Sequence, residues 1–371
     1  MPLDRRMLFL IHTSLLLVLL LSPNTVFADS VNSKERTVTK LAENIYVIRH
    51  KDAPDGFPQG NTTVIIGDLE VLVVDSCYLP SSAREDIAQI RQWTNKPVRY
   101  LVNTHWHYDH TMGNGTYAEA FPQLGIIAHT ETRKQMEGYN PRWFEKYPQR
   151  ATTFKQRLDS GKNLDGSPLT EIQRKDFATA LEGVAPVSAE FKTIVDRLPT
   201  LTFDRELQVD VGNRVVQIKH LGRGNTAGDT IVYLPAEKIL IAGDLLDYPV
   251  PYLGGGYPSE LIKTLERLGE LEEQTIVPGH GEVLSGGRGE AHRRLVIEFL
   301  QTIVSQVSRE IYRIGNGPRN LEPVREAVLK TIDLASWRER FGGGDKDNVD
   351  FFNTFSLPGV ITAAYAELWG R

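Results

Sequence analysis

The stretch that decides the fold is HWHYDH, residues 105–110, which places three histidines and one aspartate within six consecutive positions. Histidines two positions apart on an extended segment point to the same side, so His105 and His107 can bind one metal ion. Asp109 and His110 then project in a different direction and can serve a second ion. The stretch therefore predicts a metal site, because imidazole and carboxylate groups are common ligands of such ions.

Two later loops each follow an apolar segment and place a potential ligand beside a glycine. Residues 239–243 lead into Asp244, and residues 276–279 lead into His280. Ligand side chains in α/β folds commonly lie on short loops at the carboxyl ends of strands. Each loop alone is weak evidence, but together with the histidine cluster they predict one shared site.

The chain from residue 38 onward alternates predicted strands with predicted helices. Gly67-Asp68 between two apolar runs predicts a β-hairpin. Ser82 followed three residues later by Glu85 predicts a capping box at the start of a helix. This order, which resumes after Leu201, favours a layered α/β fold. The predicted strands are 45–48, 62–66, 71–74, 98–102, 207–211, 215–221, 231–234, 239–241 and 275–277.

Helical segments are predicted in the middle of the chain and at its end. Residues 139–199 are polar, contain several prolines, among them Pro141, Pro148, Pro168 and Pro186, and lack histidine and cysteine. They are predicted to form a helical insertion with helices at 143–160 and 169–181. Helices are also predicted at 259–272 and, with an amphipathic pattern, at 290–314. The main domain is therefore expected at 29–319, and a helical carboxyl-terminal tail at 320–371, broken at Gly342-Gly343-Gly344.

The composition limits the possible classes of protein. The 371 residues are 41% hydrophobic and 24% charged, which excludes collagen-like, low-complexity and wholly disordered chains. The 42 basic and 47 acidic residues give a net charge of −5, so we expect no nucleic-acid partner. The single cysteine, Cys77, excludes an internal disulfide and a multi-cysteine metal site, and its place after an apolar run predicts a buried thiol.

The first residues have the pattern of a secretory signal peptide. Arg5-Arg6 precede an apolar run from Met7 to Leu21, and Val26-Phe27-Ala28 offers a small residue before a cleavage point. We therefore expect a signal peptide at 1–28 and a mature chain, exported to the periplasm or secreted. The alternative is an uncleaved membrane anchor, but the run is shorter than the roughly 20 apolar residues of a spanning helix. We expect no stable membrane span after cleavage.

These motifs resemble the metallo-β-lactamase superfamily, whose signature is HxHxDH followed by a histidine, an aspartate and a final histidine. Residues 105–110 match the signature, Asp244 matches the aspartate loop, and His280 lies in a matching Pro-Gly-His-Gly loop. The resemblance covers residues 38 to about 314, apart from the insertion. It implies an α/β fold of the αββα sandwich type, with a hydrolase site for one or two Zn²⁺ ions.

One position departs from the family pattern. The family has a histidine in a Gly-x-x-His-Thr-x-Gly-Asp loop, whereas residues 222–229 of this chain read GRGNTAGD. Asn225 therefore stands where the third histidine of the first metal is expected, and an amide oxygen is a poorer zinc ligand than imidazole. His220, five residues earlier, is a less favoured replacement.

The resemblance implies how the remaining residues share the two ions. In members with an aspartate at the position of Asp244, such as glyoxalase II-like enzymes, that carboxylate bridges the ions. Asp109 and Asp244 are accordingly the expected catalytic residues, while Asp75 and Thr226 are expected to orient the ligand loops. The implied ligands are His105, His107 and Asp244 for the first ion, and Asp109, His110, His280 and Asp244 for the second.

The predicted function is an exported zinc-dependent hydrolase that acts on a small molecule. Metal-bound hydroxide is expected to attack the carbonyl of an ester, thioester, lactone or β-lactam. Asp244 favours the first three, whereas export and the HxHxDH form favour a β-lactam. Asn225 supports the alternative of a catalytically weakened or non-catalytic metal- or ligand-binding member. A redox di-iron site is less favoured, because it would have a glutamate in place of His107 and an attached flavin domain. Substrate, loaded metal and oligomeric state stay open.

Overall fold

A computed structural model describes residues 30–163, 168–317 and 319–369, so the predicted signal peptide lies outside the described residues. The strands are β1 (Thr37–Ala42), β2 (Ile45–Arg49), β3 (Thr62–Ile66), β4 (Val71–Val74), β5 (Val98–Val102), β6 (Gly125–His129), β7 (Leu201–Phe203), β8 (Glu206–Asp210), β9 (Val215–Lys219), β10 (Ile231–Leu234), β11 (Ile239–Gly243), β12 (Thr275–Pro278) and β13 (Leu284–Ser285). The helices are α1 (Pro80–Trp93), α2 (Tyr108–Thr111), α3 (Asn114–Ala120), α4 (Thr130–Lys146), α5 (Arg150–Ser160), α6 (Glu171–Phe191), α7 (Pro258–Leu268), α8 (Arg288–Ile314), α9 (Leu321–Leu329), α10 (Leu334–Gly342), α11 (Lys346–Phe351) and α12 (Leu357–Trp369).

The strands form two mixed sheets. The first sheet has the order β1-β2-β3-β4-β5-β6-β7, antiparallel from β1 to β4 and parallel from β4 to β7. The second has the order β13-β12-β11-β10-β9-β8, with β11 and β12 as its parallel pair. The predicted hairpin at Gly67-Asp68 is confirmed, because Ile66 pairs with Val71 across it.

The two sheets pack face to face, and helices cover both outer faces. Val102 and Ile127 of the first sheet belong to one buried apolar cluster with Val232 and Ile241 of the second. Helices α1 and α3 cover the first sheet, and α7 and α8 cover the second. Strands buried on both faces carry continuous apolar runs such as Val71–Val74, which is why they could be predicted. The predicted αββα sandwich is confirmed.

Helix α1 begins three residues earlier than the capping box predicts, since Leu79 and not Ser82 precedes its first residue. Pro80 occupies the first turn, and no side chain of α1 caps it, so the predicted Ser82–Glu85 box is wrong. Proline suits this position because its fixed φ fits the helix and it lacks an N–H that would need a partner. Glu190 of α6 instead accepts hydrogen bonds from the Ser81 backbone N–H and hydroxyl, both at 3.0 Å.

The helical region in the middle of the chain connects the parallel neighbours β6 and β7. Helix α4 already begins at Thr130, directly after β6. The predicted helix at 143–160 is interrupted by a 3₁₀ turn at Tyr147–Gln149 that contains Pro148, and α6 continues to Phe191, ten residues beyond the predicted end. An apolar cluster that includes Tyr147, Phe154 and Phe177 holds these helices together and joins them to Tyr78 of the main domain.

The carboxyl-terminal region is helical, as predicted, and it packs against the second sheet's helices. Trp337, Phe341 and Phe352 share a buried cluster with Phe299 of α8. Helix α10 ends at Gly342, and Gly343 has a φ of +55°, so the predicted glycine break is confirmed. Within the described ranges, no helix has both the length and the apolar character needed to cross a membrane.

Two helix-interior glycines give a stability prediction. A Cβ on Gly183 of α6 would lie 2.1 Å from the carbonyl oxygen of Pro54, so Gly183→Ala forces α6 away from the main domain. We expect it to lower the free energy of unfolding by about 1–3 kcal/mol. A Cβ on Gly138 of α4 meets no described atom within 4 Å, so Gly138→Ala should raise that free energy by about 0.5–1 kcal/mol. Urea unfolding of both variants checks this; equal effects would contradict the packing of α6.

Candidate metal centre

The predicted ligands and the orienting residue Asp75 lie in segments that follow four strands. His105 follows β5 and Asp75 follows β4, and these strands are parallel neighbours in the first sheet. Asp244 follows β11 and His280 follows β12, which are parallel neighbours in the second sheet. Parallel strands end at a common edge, so each sheet presents its polar loops at one edge. The two edges meet, and the candidate centre lies between them.

Asp244 lies at the middle of the centre and is only 6% exposed. Its Oδ2 is 3.2 Å from His105 Nε2 and 3.8 Å from His107 Nδ1. Its Oδ1 is 3.0 Å from His110 Nε2 and 3.8 Å from His280 Nε2. The two carboxylate oxygens therefore face different pairs of histidines.

We call the side with Asp109, His110 and His280 the His280 end of the centre. His280 Nε2 lies 2.9 Å from Asp109 Oδ2 and 3.2 Å from His110 Nε2. One ligand atom from each of the three residues lies within 4.8 Å of the other two, and the same holds for the set His105, His110 and Asp244. The structure thus brings these predicted ligands close enough to share cations.

The opposite side, the Asn225 end, contains His105, His107 and Asn225. The Asn225 amide donates a hydrogen bond to Asp244 Oδ2 at 3.2 Å, and its nitrogen lies 3.4 Å from His107 Nδ1. Asn225 is buried. Asn225 therefore lies beside the ligands, as the sequence pattern predicts. Its amide group faces Asp244 and forms a hydrogen bond with that carboxylate.

Two side chains behind the centre fix the orientation of its histidines. Asp75 Oδ2 lies 2.8 Å from His110 Nδ1, which leaves His110 Nε2 to face Asp244. The same carboxylate accepts hydrogen bonds from the Thr104 N–H and hydroxyl, both at 2.8 Å. Thr104 Oγ1 in turn lies 3.0 Å from His105 Nδ1. Carboxylate–histidine contacts of this kind set which ring nitrogen is presented to a metal.

Thr226 lies in the Asn225 loop and forms hydrogen bonds with Asp229. Its N–H and hydroxyl both donate to the Asp229 carboxylate, at distances of 2.7–3.1 Å. His220 Nδ1 lies 2.7 Å from the Asp229 carbonyl oxygen, and its ring stacks on His129. His220 is in none of the groups of described residues that could share an ion. In the structure, His220 therefore packs against His129 and the Asp229 loop and lies in no candidate metal group among the described residues.

Two glycines let the backbone approach the centre closely. A Cβ on Gly60 would lie 2.4 Å from the His110 ring, and one on Gly279 would lie 2.0 Å from Asp244 Oδ1. Asn61, next to Gly60, donates hydrogen bonds to the carbonyl oxygens of Pro278 and Gly281 at 2.9 and 3.0 Å. These contacts join the loops of the two sheets around Asp244.

The donor atoms fit a divalent metal. Among the described residues, Asn225 Oδ1 is buried and has no hydrogen-bond partner, and His105 Nε2 and Asp244 Oδ1 face other ligands without a hydrogen bond of good geometry. Leaving such atoms unpaired is costly, unless a cation contacts them. Histidine nitrogens with carboxylate oxygens form the usual ligand set of catalytic zinc, and they also accommodate other first-row metals.

The family model that matches this chain is that of the metallo-beta-lactamase superfamily, over residues 55–280. The match covers more than half of the chain and includes every predicted ligand. The chain belongs to the metallo-β-lactamase superfamily. The predicted family is therefore confirmed, and the chain carries the predicted ligand residues of a metallo-hydrolase.

Two curated relatives are sulfatases. The linear primary-alkylsulfatase of Pseudomonas sp. (strain ATCC 19151) is 25% identical over 233 residues, which are 58% of this chain and 40% of that protein. The alkyl/aryl-sulfatase BDS1 of Saccharomyces cerevisiae (strain ATCC 204508 / S288c) is 30% identical over 90 residues, which are 24% of this chain and 13% of that protein. The chain thus spans less than half the length of either relative.

Solved structures of superfamily members share the fold. A metallo-beta-lactamase from Pontibacter korlensis superposes with a TM-score of 0.51 at 16% identity, over 72% of this chain and 99% of its own. DIM-1 metallo-beta-lactamase superposes with a TM-score of 0.50 at 16% identity, over 73% of this chain and 99% of its own. At such identities the likeness shows the fold alone.

Even without a bound metal, the carboxylates and imidazoles of the centre shift one another's pKa values. Burial alone would raise the pKa of Asp244, but the imidazoles of His110, His105 and His280 lower it well below its ordinary value. Burial lowers the pKa of His105 to about 4, so its imidazole is neutral and able to act as a ligand. For His280, burial is outweighed by Asp244 and Asp109, which raise its pKa to about 9.

Asp247, three residues after Asp244, also lies at the centre, although no sequence motif points to it. It is 5% exposed, and one of its oxygens lies within 4.8 Å of the ligand atoms of Asp244 and His280. Burial first, and then the charge of Asp244, raises the pKa of Asp247 well above its ordinary value. Its sequence context is that of an ordinary loop aspartate, so no local signal could have identified it.

A separate buried group contains His50, Cys77 and Asp86, whose ligand atoms also lie within 4.8 Å of one another. Cys77 is buried, as predicted, and burial raises the pKa of its thiol well above the ordinary value. Asp86 forms an ion pair with Arg36 at 2.9 Å and lies 3.2 Å from His50 Nε2. Since Asp86 already has a cationic partner, this group is a structural ion-pair network beneath α1.

The position of Asn225 predicts two metal sites of unequal affinity. Zn²⁺ titration of metal-free protein against a chelator should show one tight and one weak site, or a single ion. Asn225→His supplies an imidazole nitrogen in place of the amide and should tighten the weaker site by about 10-fold or more. Asn225→Gln, which lengthens the amide without adding a nitrogen ligand, is the control. Two equally tight ions in the unmodified protein would contradict the prediction.

Proposed function

We propose that this protein is an exported zinc-dependent hydrolase that cleaves an ester, thioester, lactone or β-lactam bond of a small molecule. The observation that carries the proposal is the arrangement around Asp244, where four histidines face the two oxygens of one buried carboxylate. Such a donor set, rich in imidazole, favours zinc over magnesium or calcium, which prefer oxygen ligands alone.

The two ends of the centre would hold the ions. His105, His107 and Asp244 would hold one ion at the Asn225 end. Asp109, His110, His280 and Asp244 would hold the other. Zinc bound there supplies Lewis acidity, which polarises a substrate oxygen and makes a nucleophile available from water at neutral pH.

The chain's own residues orient this chemistry. Asp75 holds His110 and Thr104 holds His105, so both rings present Nε2 to the centre. Asp109, which lies 2.9 Å from His280, is close enough to orient both His280 and a reacting water. These contacts keep the ligands in one geometry, which catalysis requires to within a fraction of an ångström.

An aromatic wall lies beside the centre. Trp106 is adjacent to the ring of His107 and stacks on Tyr139 of α4, with ring centroids 4.5 Å apart. Tyr108 stacks on Trp143 of the same helix at 4.3 Å. Tyr139 is 43% exposed, so part of this wall faces solvent. The wall suits a substrate that carries an apolar group next to the bond to be cleaved.

A second candidate substrate is the sulfate ester of an alkyl chain. It is favoured by the similarity to the Pseudomonas linear primary-alkylsulfatase, which covers 58% of this chain. An alkyl chain would also lie against the aromatic wall. The centre itself does not discriminate between a carbonyl carbon and a sulfate sulfur, so substrate tests must include both.

A substrate panel with two variants tests the function. Purified zinc-loaded protein should hydrolyse at least one of p-nitrophenyl butyrate, a thioester, a lactone, a β-lactam or an alkyl sulfate, and a chelator should abolish the activity reversibly. Asp244→Asn removes the central charge, so it should lower metal content and abolish most turnover. Asp75→Asn removes only an orienting contact and should cost about 10–100-fold.

Two outcomes would contradict the proposal. Full metal content and full rate in Asp244→Asn would exclude a role of Asp244 between the ions. Metal binding without hydrolysis of any panel member would support the alternative function, a weakened or non-catalytic member that binds metal or ligand because Asn225 replaces a ligand histidine.

Export is part of the proposal and is supported by the amino-terminal pattern at residues 1–28, outside the described residues. Expression of the full chain in a Gram-negative host should give a mature protein that begins at Asp29 in the periplasm or medium. Amino-terminal sequencing of the fractionated protein checks this. A chain that keeps Met1 and stays in the cytosol would contradict it.

A further inference from the structure

Asp247 has the burial and the position of a metal ligand. It lies on the loop after β11, and within the described part of the chain its Oδ1 is buried and has no hydrogen-bond partner. A buried carboxylate oxygen without a hydrogen bond or a cation is costly. The described residues provide no hydrogen-bond donor for this oxygen, so its burial favours contact with a cation.

The spacing around Asp247 is compatible with a shared ion. One of its oxygens lies within 4.8 Å of the ligand atoms of both Asp244 and His280. Two ligands of one zinc ion, each about 2.0–2.2 Å from it, are at most about 4.4 Å apart. Three ligands of one zinc ion lie closer together still, about 3.3–3.8 Å apart, so the three side chains need to move by at most about 1 Å to share an ion.

The loop that carries Asp247 is held firmly. The buried ring of His292 on α8 lies with Nε2 2.6 Å from the Asp247 carbonyl oxygen. The next residue, Tyr248, donates its backbone N–H to the His280 carbonyl oxygen at 3.1 Å and places its ring against His292. The backbone of Asp247 is thus tied both to a ligand loop and to a long helix, which keeps the carboxylate near His280.

We propose that Asp247 is an additional ligand of the metal centre at its His280 end. The inference rests on the proposed function only in that it requires a metal there. With Asp247, this end has three carboxylates and two imidazoles, namely Asp109, Asp244, Asp247, His110 and His280. The Asn225 end has two imidazoles, one shared carboxylate and an amide. The two ends therefore differ in charge as well as in ligand number, and the oxygen-rich end accommodates Mn²⁺ better than the other.

Metal binding to the full mature chain tests the proposal directly. Asp247→Asn keeps the side chain's size but removes its charge, so it should weaken the tighter site for Zn²⁺ by at least about 10-fold, and for Mn²⁺ by more. The measurement is chelator competition combined with elemental analysis of the bound metal. Asp55→Asn is the matched control: Asp55 is 3% exposed and accepts a hydrogen bond from Tyr147 at 2.6 Å, so its loss should leave the metal affinity unchanged.

Thermal unfolding separates a ligand from a structural residue. If Asp247 is a ligand, the metal-free Asp247→Asn protein should melt at or above the temperature of the metal-free parent, since the variant removes a buried carboxyl group whose Oδ1 has no hydrogen-bond partner among the described residues. The increase in melting temperature on adding Zn²⁺ should shrink. A lower melting temperature of the metal-free variant, together with an unchanged Zn²⁺ increment, would overturn the proposal.

A second variant covers the case in which Asp247→Asn does not fold. Asp247→Glu keeps the charge but shifts the carboxylate by one methylene, so a ligand role predicts an altered visible spectrum of the Co²⁺-loaded protein. An unchanged Co²⁺ spectrum would overturn the proposal. Because these measurements record metal and not turnover, a protein that binds metal as expected but hydrolyses nothing would contradict the proposed function alone.

Discussion

Asp244 brings a carboxylate into the interior of the sandwich, where it is 6% exposed and has no lysine or arginine ion-pair partner among the described residues. Removing such a charge from water costs several kcal/mol unless positive charge is placed beside it. The structure places imidazoles there, and the pKa values of His110 and His280, each of which lies near more than one carboxylate, are raised. A divalent ion that displaces those protons balances the same charge, so metal binding and the stability of this region are linked.

This requirement explains why two sheets must meet at one edge. His105 and His110 depend on the first sheet, and Asp244 and His280 on the second. Neither sheet alone can neutralise the carboxylate. Other residues help to bring the ligands together. Asp75 orients His110, while Gly60 and Gly279 have no Cβ and so let the backbone approach the ligands closely. The sandwich is thus a means of holding opposite charges from distant parts of the chain within hydrogen-bonding range.

The sequence predicts what is encoded by local spacing or by burial on both sides. HWHYDH at 105–110 shows its chemistry in six residues, and strands such as Val71–Val74 show continuous apolar runs because both faces are covered. The sequence does not predict a feature that is determined by a contact between distant parts of the chain. In the first turn of α1, Ser81 donates hydrogen bonds to Glu190, more than 100 residues away, and the backbone of Asp247 is held by His292, 45 residues away. No local pattern carries that information.

The helical additions are coupled to the centre through such distant contacts. Helix α4 contributes Tyr139 and Trp143, which stack on the aromatic residues beside the ligand His107. The carboxyl-terminal region contributes Phe341, whose ring contacts that of His292 on α8. A change in either addition therefore alters the surroundings of the ligands without touching them. The catalytic signature identifies the chemistry of the centre, but the parts of the chain outside the signature determine the shape and charge of the space in which a substrate must fit.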